Sequence, residues 1–177
     1  MTLTYPEVGA TRDDRMPAGY RHVTRRVRVG SASSSVPGSA SSSASFASAK
    51  EALARWQPQR GAGLRVRTDA DRPAVGVEFA TGIGLGPLRL WVPCKIVWVV
   101  DEPDRYGFGF GTLPGHIARG EESFLLSTDA AGDVWFDVRA FSRPAKWWVK
   151  LGDPVARLVQ SRVTDRYAAA MRQGPLP

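Results

Sequence analysis

Thr112, His116, Arg119, Glu121 and Glu122 fall within eleven residues, in a stretch punctuated by Gly111, Pro114, Gly115 and Gly120. A histidine beside a carboxylate is a compact acid/base device, because the carboxylate orients the imidazole and raises its pKa. His116 with Glu121, or with Glu122, is therefore the candidate catalytic pair. The competing reading is a solvated loop over Gly111 to Glu122 in which Glu121 ties down its own backbone or pairs with Arg119. No catalytic signature spans the group, and no GxSxG elbow places a serine elsewhere.

Other reactive side chains have structural readings. Ser142 can cap a helix after the last strand, and Arg143 can reach an anion at that junction. Gly107-x-Gly109-x-Gly111 alternates with Phe108 and Phe110, so it reads as a strand with a crowded backbone rather than a phosphate loop. Cys94 lies in an apolar run and reads as core. As the single cysteine, it excludes an internal disulfide and a cysteine-built zinc site. His22 and His116 are the two histidines, with no ligand spacing between them, so neither a metal nor another cofactor is expected.

The elements that must position these groups follow from periodicity and punctuation. Residues 1–19 form an arm with Pro and Gly but no regular structure. Tyr20 to Val29 alternates as a strand with Val23, Val27 and Val29 on one face, where Arg25 is anomalous. The Ser-rich tract 31–45 cannot repay the entropy of ordering and is expected to be a mobile, disordered loop. A short helix follows over Phe46 to Trp56, with Pro58 biasing Gln57 out of it. Strands are expected at Leu64 to Arg67, Val75 to Ala80, Leu88 to Val100 with Pro93 marking a bulge or edge, Tyr106 to Phe110, Ser123 to Thr128 and Val134 to Phe141. The last two make a hairpin across Asp129 to Asp133. From Ala145 to Arg172 the pattern is helical, broken at Gly152-Asp153-Pro154, and the restarted helix carries a stripe through Val155, Leu158, Val159, Val163, Tyr167 and Ala170.

This order gives an α+β chain, 1–177 as one domain, with a curved, mainly antiparallel sheet wrapped on a long C-terminal helix, which is a helix-grip layout. The length of 177 residues suits one core, and 43% hydrophobic with 23% charged residues is an ordinary globular composition. The net charge of +7 permits anionic partners. Its carriers are nearly all arginine and are spread along the chain, so nucleic acid is disfavoured. No stretch is long and apolar enough to span a bilayer, no leader is evident, and a cytoplasmic location is expected.

The motifs Tyr5-Pro6-Glu7-Val8-Gly9-Ala10-Thr11, Pro17-Ala18-Gly19-Tyr20, Gly111-Thr112-Leu113-Pro114-Gly115-His116 and Phe141-Ser142-Arg143-Pro144 resemble those of an uncharacterised family of bacterial and plant proteins, a domain of unknown function. That family is similar to the Bet v 1 and START-like helix-grip superfamily. The resemblance covers nearly the whole chain and implies the fold. It carries no established activity, so no catalytic residue is transferred.

Three functions follow as expectations. The first is binding of a small apolar or amphipathic molecule between helix and sheet, with Tyr5, Trp91, Trp98, Phe110, His116, Arg119, Phe141 and Arg143 as the contacts. The second is a cyclase- or hydratase-type enzyme using His116 and Glu121 of the Gly111 to Glu122 stretch. The third is a basic module for nucleic acid or a membrane surface. The arm is expected to dock through Tyr5 near Gly111 to Glu122 or the Ser142-Arg143 junction, with Glu7 accepting a bond from an arginine, as either a cavity lid or a structural clasp.

Overall fold

The computed structural model describes residues 1–13, 15–31, 41–84, 89–145 and 153–172. Strand β1 (Arg21–Gly30) is followed by helices α1 (Ser41–Ala54) and α2 (Gln57–Gly61). Strands β2 (Arg65–Arg67), β3 (Glu78–Ile83), β4 (Leu90–Asp101), β5 (Arg105–Thr112), β6 (Ala118–Thr128) and β7 (Val134–Pro144) come next, and helix α3 (Asp153–Arg172) closes the order. The strands form one curved antiparallel sheet in the order β1-β7-β6-β5-β4-β3-β2. With α3 against its inner face this is the helix-grip arrangement, as the alternation of strands and the long terminal stripe predicted.

Period-two alternation divides the side chains between two faces. Phe108 and Phe110 of β5, Phe124 and Leu126 of β6, and Phe136 and Val138 of β7 point inward and meet Phe79, Trp56, Tyr167 and Met171 in one core. Their rings meet mostly edge-on: Phe124 lies 5.0 Å from Tyr167 and 5.8 Å from Phe108, at 75° and 81°. Such geometry sets the positive edge of one ring against the negative face of the next.

Several boundaries differ from expectation for identifiable reasons. The segment between β5 and β6 is short, because β6 begins at Ala118 rather than Ser123; Glu121 and Glu122 are paired strand residues, opposite Gly111 and Phe110. The bulge in β4 falls at Val97, not Pro93. Ile96 pairs with Phe110 and Trp98 with Gly109, so the extra residue turns Trp98 and Val100 onto the outer face. β3 starts at Glu78, and Val75 is exposed. α1 reaches back to Ser41, so the end of the tract expected to be loop is helical, with Phe46 and Leu53 in the core holding the helix in place. Residues 32–40 lie outside the described residues.

Pro58 does not simply end a helix. Trp56 takes a left-handed conformation (φ 63°), and Pro58 occupies the first turn of α2, where its missing N–H costs nothing. The buried indole of Trp56 fixes this corner. β7 runs on to Pro144, so Ser142 pairs with Gly120 and Arg21 instead of capping a helix. Arg25 does share the valine face of β1, and Asp165 of α3 answers it at 3.1 Å. The helical start expected at Ala145 falls largely outside the described residues. No helix among the described residues is long and apolar enough to cross a membrane.

Phe124 touches rings on β5, β7 and α3. Phe124→Ala is expected to cost about 3–5 kcal/mol, read as a lower midpoint of urea unfolding with an unchanged slope.

Candidate functional site

β6 carries two adjacent carboxylates, and its pleat sends them to opposite faces of the sheet. Glu121 stands on the outer face beside Gly111 and Phe141, its cross-strand partners. There it receives the N-terminal arm. The Tyr5 hydroxyl and the Gly9 N–H each donate to Glu121 Oε2 at 2.7 Å, and the Thr11 N–H donates to Oε1 at 2.9 Å. The Thr11 hydroxyl also donates to Oε1, while the Trp98 indole N–H donates to that hydroxyl at 3.1 Å. Burial first, and then the neighbouring carboxylate, hold the Tyr5 phenol above its ordinary range, so it stays a donor.

The outer sheet is shaped to receive these rings. A Cβ on Gly109 would lie 2.1 Å from the Trp98 indole nitrogen, and one on Gly111 would lie 2.1 Å from the Tyr5 hydroxyl. The alternating glycines of β5 are thus a bare strip on which Trp98 and Tyr5 lie flat. Phe141 meets Tyr5 edge-on at 5.6 Å and Tyr20 at 5.0 Å. Thr4 extends the contact through its N–H, which donates to the Thr112 carbonyl at 3.1 Å. Tyr5 therefore docks where expected, but Glu7 accepts from the Tyr20 hydroxyl at 2.7 Å, not from an arginine.

Glu122 faces the other way, between inward-pointing Phe110 and Ala140. It lines a cavity of about 930 Å³ between the sheet and α3. Val92, Phe110, Ala140 and Val163 supply apolar wall, and Thr112, His116, Gln59 and Tyr167 supply polar groups. Burial raises the Glu122 carboxyl to about 7. Burial likewise lifts the Cys94 thiol and the Tyr167 phenol, with the nearby Glu122 carboxylate adding to both. His116 sits at the rim between exposed Gly115 and Ile117. Burial lowers its imidazole to about 4, outweighing the opposing effect of the Ala118 carbonyl 3.1 Å from Nδ1. The Ala118 N–H donates to the same nitrogen at 2.9 Å, so the ring is neutral with its proton on Nε2.

The sequence candidates are thus divided. Phe110 and His116 line the cavity, and Arg143 reaches its edge with its guanidinium over the Tyr20 ring at 4.8 Å. Tyr5, Trp98 and the Phe141 ring belong to the outer-face clasp. Trp91 is also on the outer face, under the Arg67 guanidinium at 3.6 Å. Arg119 is exposed, opposite Arg143 in the ladder. Tyr5, Trp91 and Trp98 are not cavity walls: the docked arm holds Tyr5 outside, Trp91 faces outward by alternation with Val92, Cys94 and Ile96, and the bulge at Val97 turns Trp98 outward. No hydrogen bond or ion pair joins His116 to Glu121, whose oxygens are taken by the arm, so that acid/base pair does not form. The group facing the cavity is Glu122, which sequence spacing could not separate from Glu121. The alternation of Phe124 and Leu126 assigns Glu122 to the inner face only once the strand is known to reach back past it, as β6 does from Ala118.

A family model described as Domain of unknown function (DUF1990) matches residues 4–170. A UPF0548 protein of Deinococcus radiodurans is 38% identical over 175 residues, covering 93% of this chain and 83% of that protein. A UPF0548 protein of Arabidopsis thaliana is 32% identical over 135 residues, covering 72% and 64%. Among solved structures, norcoclaurine synthase of Thalictrum flavum superposes with a TM-score of 0.53 at 12% identity over 90% of this chain and 98% of that one. A hypothetical protein of Helicobacter pylori gives 0.53 at 11% over 86% and 88%. At such identities the likeness shows the fold alone.

Removing the carboxylate that collects the arm leaves the Tyr5 hydroxyl buried without its acceptor. Glu121→Ala is expected to cost about 3 kcal/mol, and the Gly9 and Thr11 amides should lose hydrogen-exchange protection ahead of the core strands. Glu122 generates the opposite outcome. Its folded pKa near 7 exceeds the ordinary 4.5, so between these values the native state holds a proton that the unfolded chain has released. Its contribution is fully present below pH 4.5 and lost as pH rises through 7. Glu122→Gln cannot ionise, and should match the wild type near pH ~5 yet exceed its stability by about 2–3 kcal/mol near pH ~8.5, measured by urea unfolding at both values.

Proposed function

We propose that this chain, which belongs to the family described as Domain of unknown function (DUF1990), binds a small apolar or amphipathic molecule in the cavity between α3 and the inner face of the sheet. The observation that carries the reading is the cavity itself: about 930 Å³, within the roughly 300–1,000 Å³ range of small-molecule sites. Its composition adds support, since apolar walls interrupted by a few polar groups favour burial of an apolar body and fix its orientation. Phe110, His116 and Glu122 would then be contacts.

A second reading, an acid/base enzyme of the cyclase or hydratase type, is favoured by one feature. A carboxyl poised near neutrality within a cavity can either give or take a proton at physiological pH. In that reading Glu122 is the acid/base group, and neutral His116 is a hydrogen-bond donor through Nε2.

Nile red, an uncharged apolar dye, is expected to bind the full chain saturably at one site and to be displaced by lipid-like competitors. Val163 lines the cavity from α3 and is not fully buried; Val163→Trp should weaken the dye at least tenfold while leaving the melting temperature near that of the wild type. Absence of saturable binding, or full affinity in Val163→Trp, would overturn the binding reading.

A further inference from the structure

Glu122 is an ionisable group that the protein itself leaves without a partner. Its ladder neighbours on the inner face are Phe110 and Ala140. Among the described residues no group donates a hydrogen bond to its carboxylate, and burial is the sole cause of its displaced pKa. The titratable groups packed around it are uncharged at neutral pH: Cys94 on β4 and Tyr167 on α3 are held protonated, and His116 is held neutral. Arg21 and Arg143 line the same cavity, but neither contributes to the electrostatics of Glu122. Glu121, next in sequence, is turned to the outer face and engaged by the arm.

Gln59 of α2 is a second unsatisfied group. It is 1% exposed, lines the cavity, and neither atom of its side-chain amide has a hydrogen-bond partner. Gln59 is buried, and Glu122, partly exposed through the open cavity, is screened only by what fills it; two polar side chains left unpaired there are costly whenever the cavity excludes water, and an apolar residue between Phe110 and Ala140 would avoid the cost. The cost is offset when a ligand brings the missing donors. A hydroxyl can donate to the carboxylate but leaves its charge uncompensated, whereas an ammonium donates to it and also neutralises the charge.

We propose that the cavity selects an amphipathic molecule whose apolar body carries a protonatable amine, with the nitrogen seated against Glu122 and Gln59 supplying a further carbonyl acceptor. This rests on the binding reading above and deepens it by naming the ligand's polar group.

Displacement of Nile red by decylamine, decanol and decanoate, each below its micelle concentration, separates the two. In the wild type near pH ~7.5 the amine is expected to bind at least tenfold more tightly than the alcohol, a difference of about 1.4 kcal/mol. In Glu122→Gln the two should come within threefold of each other. Lowering the pH to ~5.5 protonates Glu122 and should weaken the amine at least fivefold relative to the alcohol. Equal affinities in the wild type, or an amine preference that survives in Glu122→Gln, would overturn the proposal and leave the binding reading standing. Tightest binding by decanoate would overturn it in favour of recognition by the rim arginines. Failure of all three to displace the dye, or of the dye to bind, would overturn both.

Discussion

The pleat of β6 is the constraint on which the two faces of this protein depend. Because successive strand residues point in opposite directions, Glu121 and Glu122 share a backbone yet belong to different environments. One carboxylate is saturated by the arm through Tyr5, Gly9 and Thr11. The other enters the cavity unpaired. A shift of one residue in the β5–β6 register would exchange them, placing an unpaired carboxylate under the arm and the clasp residue inside the core. The bare Gly109 and Gly111 positions reinforce the observed register, since only that alignment sets them beneath Trp98 and Tyr5.

The arm is best understood as part of the sheet's outer layer. An open antiparallel sheet covers one face with helices and leaves the other to water or to added chain. Here the helices α1, α2 and α3 take the inner face, and residues Thr4 to Thr11 cover part of the outer one. Tyr5 at 4% exposure and Thr11 at 2% are as buried as core residues although they lie near a terminus. The hydrogen bonds to Glu121 explain that burial, because each polar group taken from water by docking finds an acceptor. The geometry is that of a clasp on the outer face; among the described residues of the arm, Gly19 at its end reaches the cavity.

The positive charge is partly absorbed by the fold. Arg25, Arg26 and Arg28 along β1 pair with Asp165, Asp137 and Asp133, and Arg26 also lies over the Trp135 ring at 4.9 Å. Exposed pairs of this kind each contribute only about 0–1 kcal/mol. Their effect is to distribute charge along an edge strand, where it discourages pairing with another sheet edge.

The sequence alone determined the architecture. Alternation through Phe108 and Phe110, the turn residues Asp129 to Asp133, and the apolar stripe ending in Tyr167 and Ala170 are local signals, and a sheet wrapped on a terminal helix is what they require. The sequence also placed Tyr5 beside either the Gly111 to Glu122 stretch or the Ser142-Arg143 junction, and read the glycines of β5 as a crowded strand. Only the tertiary structure decided which carboxylate faces which side, because that depends on where β6 begins, and Gly120 disguised its first residues as loop. Only the structure could place Trp98 on the same outer face as Trp91, since the bulge at Val97 changes face without any mark in composition. Arg25 on the valine face became intelligible when α3 brought Asp165 to it from far along the chain. In each case the deciding partner is remote in sequence, so spacing carries no trace of it, whereas alternation and helical period are properties of neighbours.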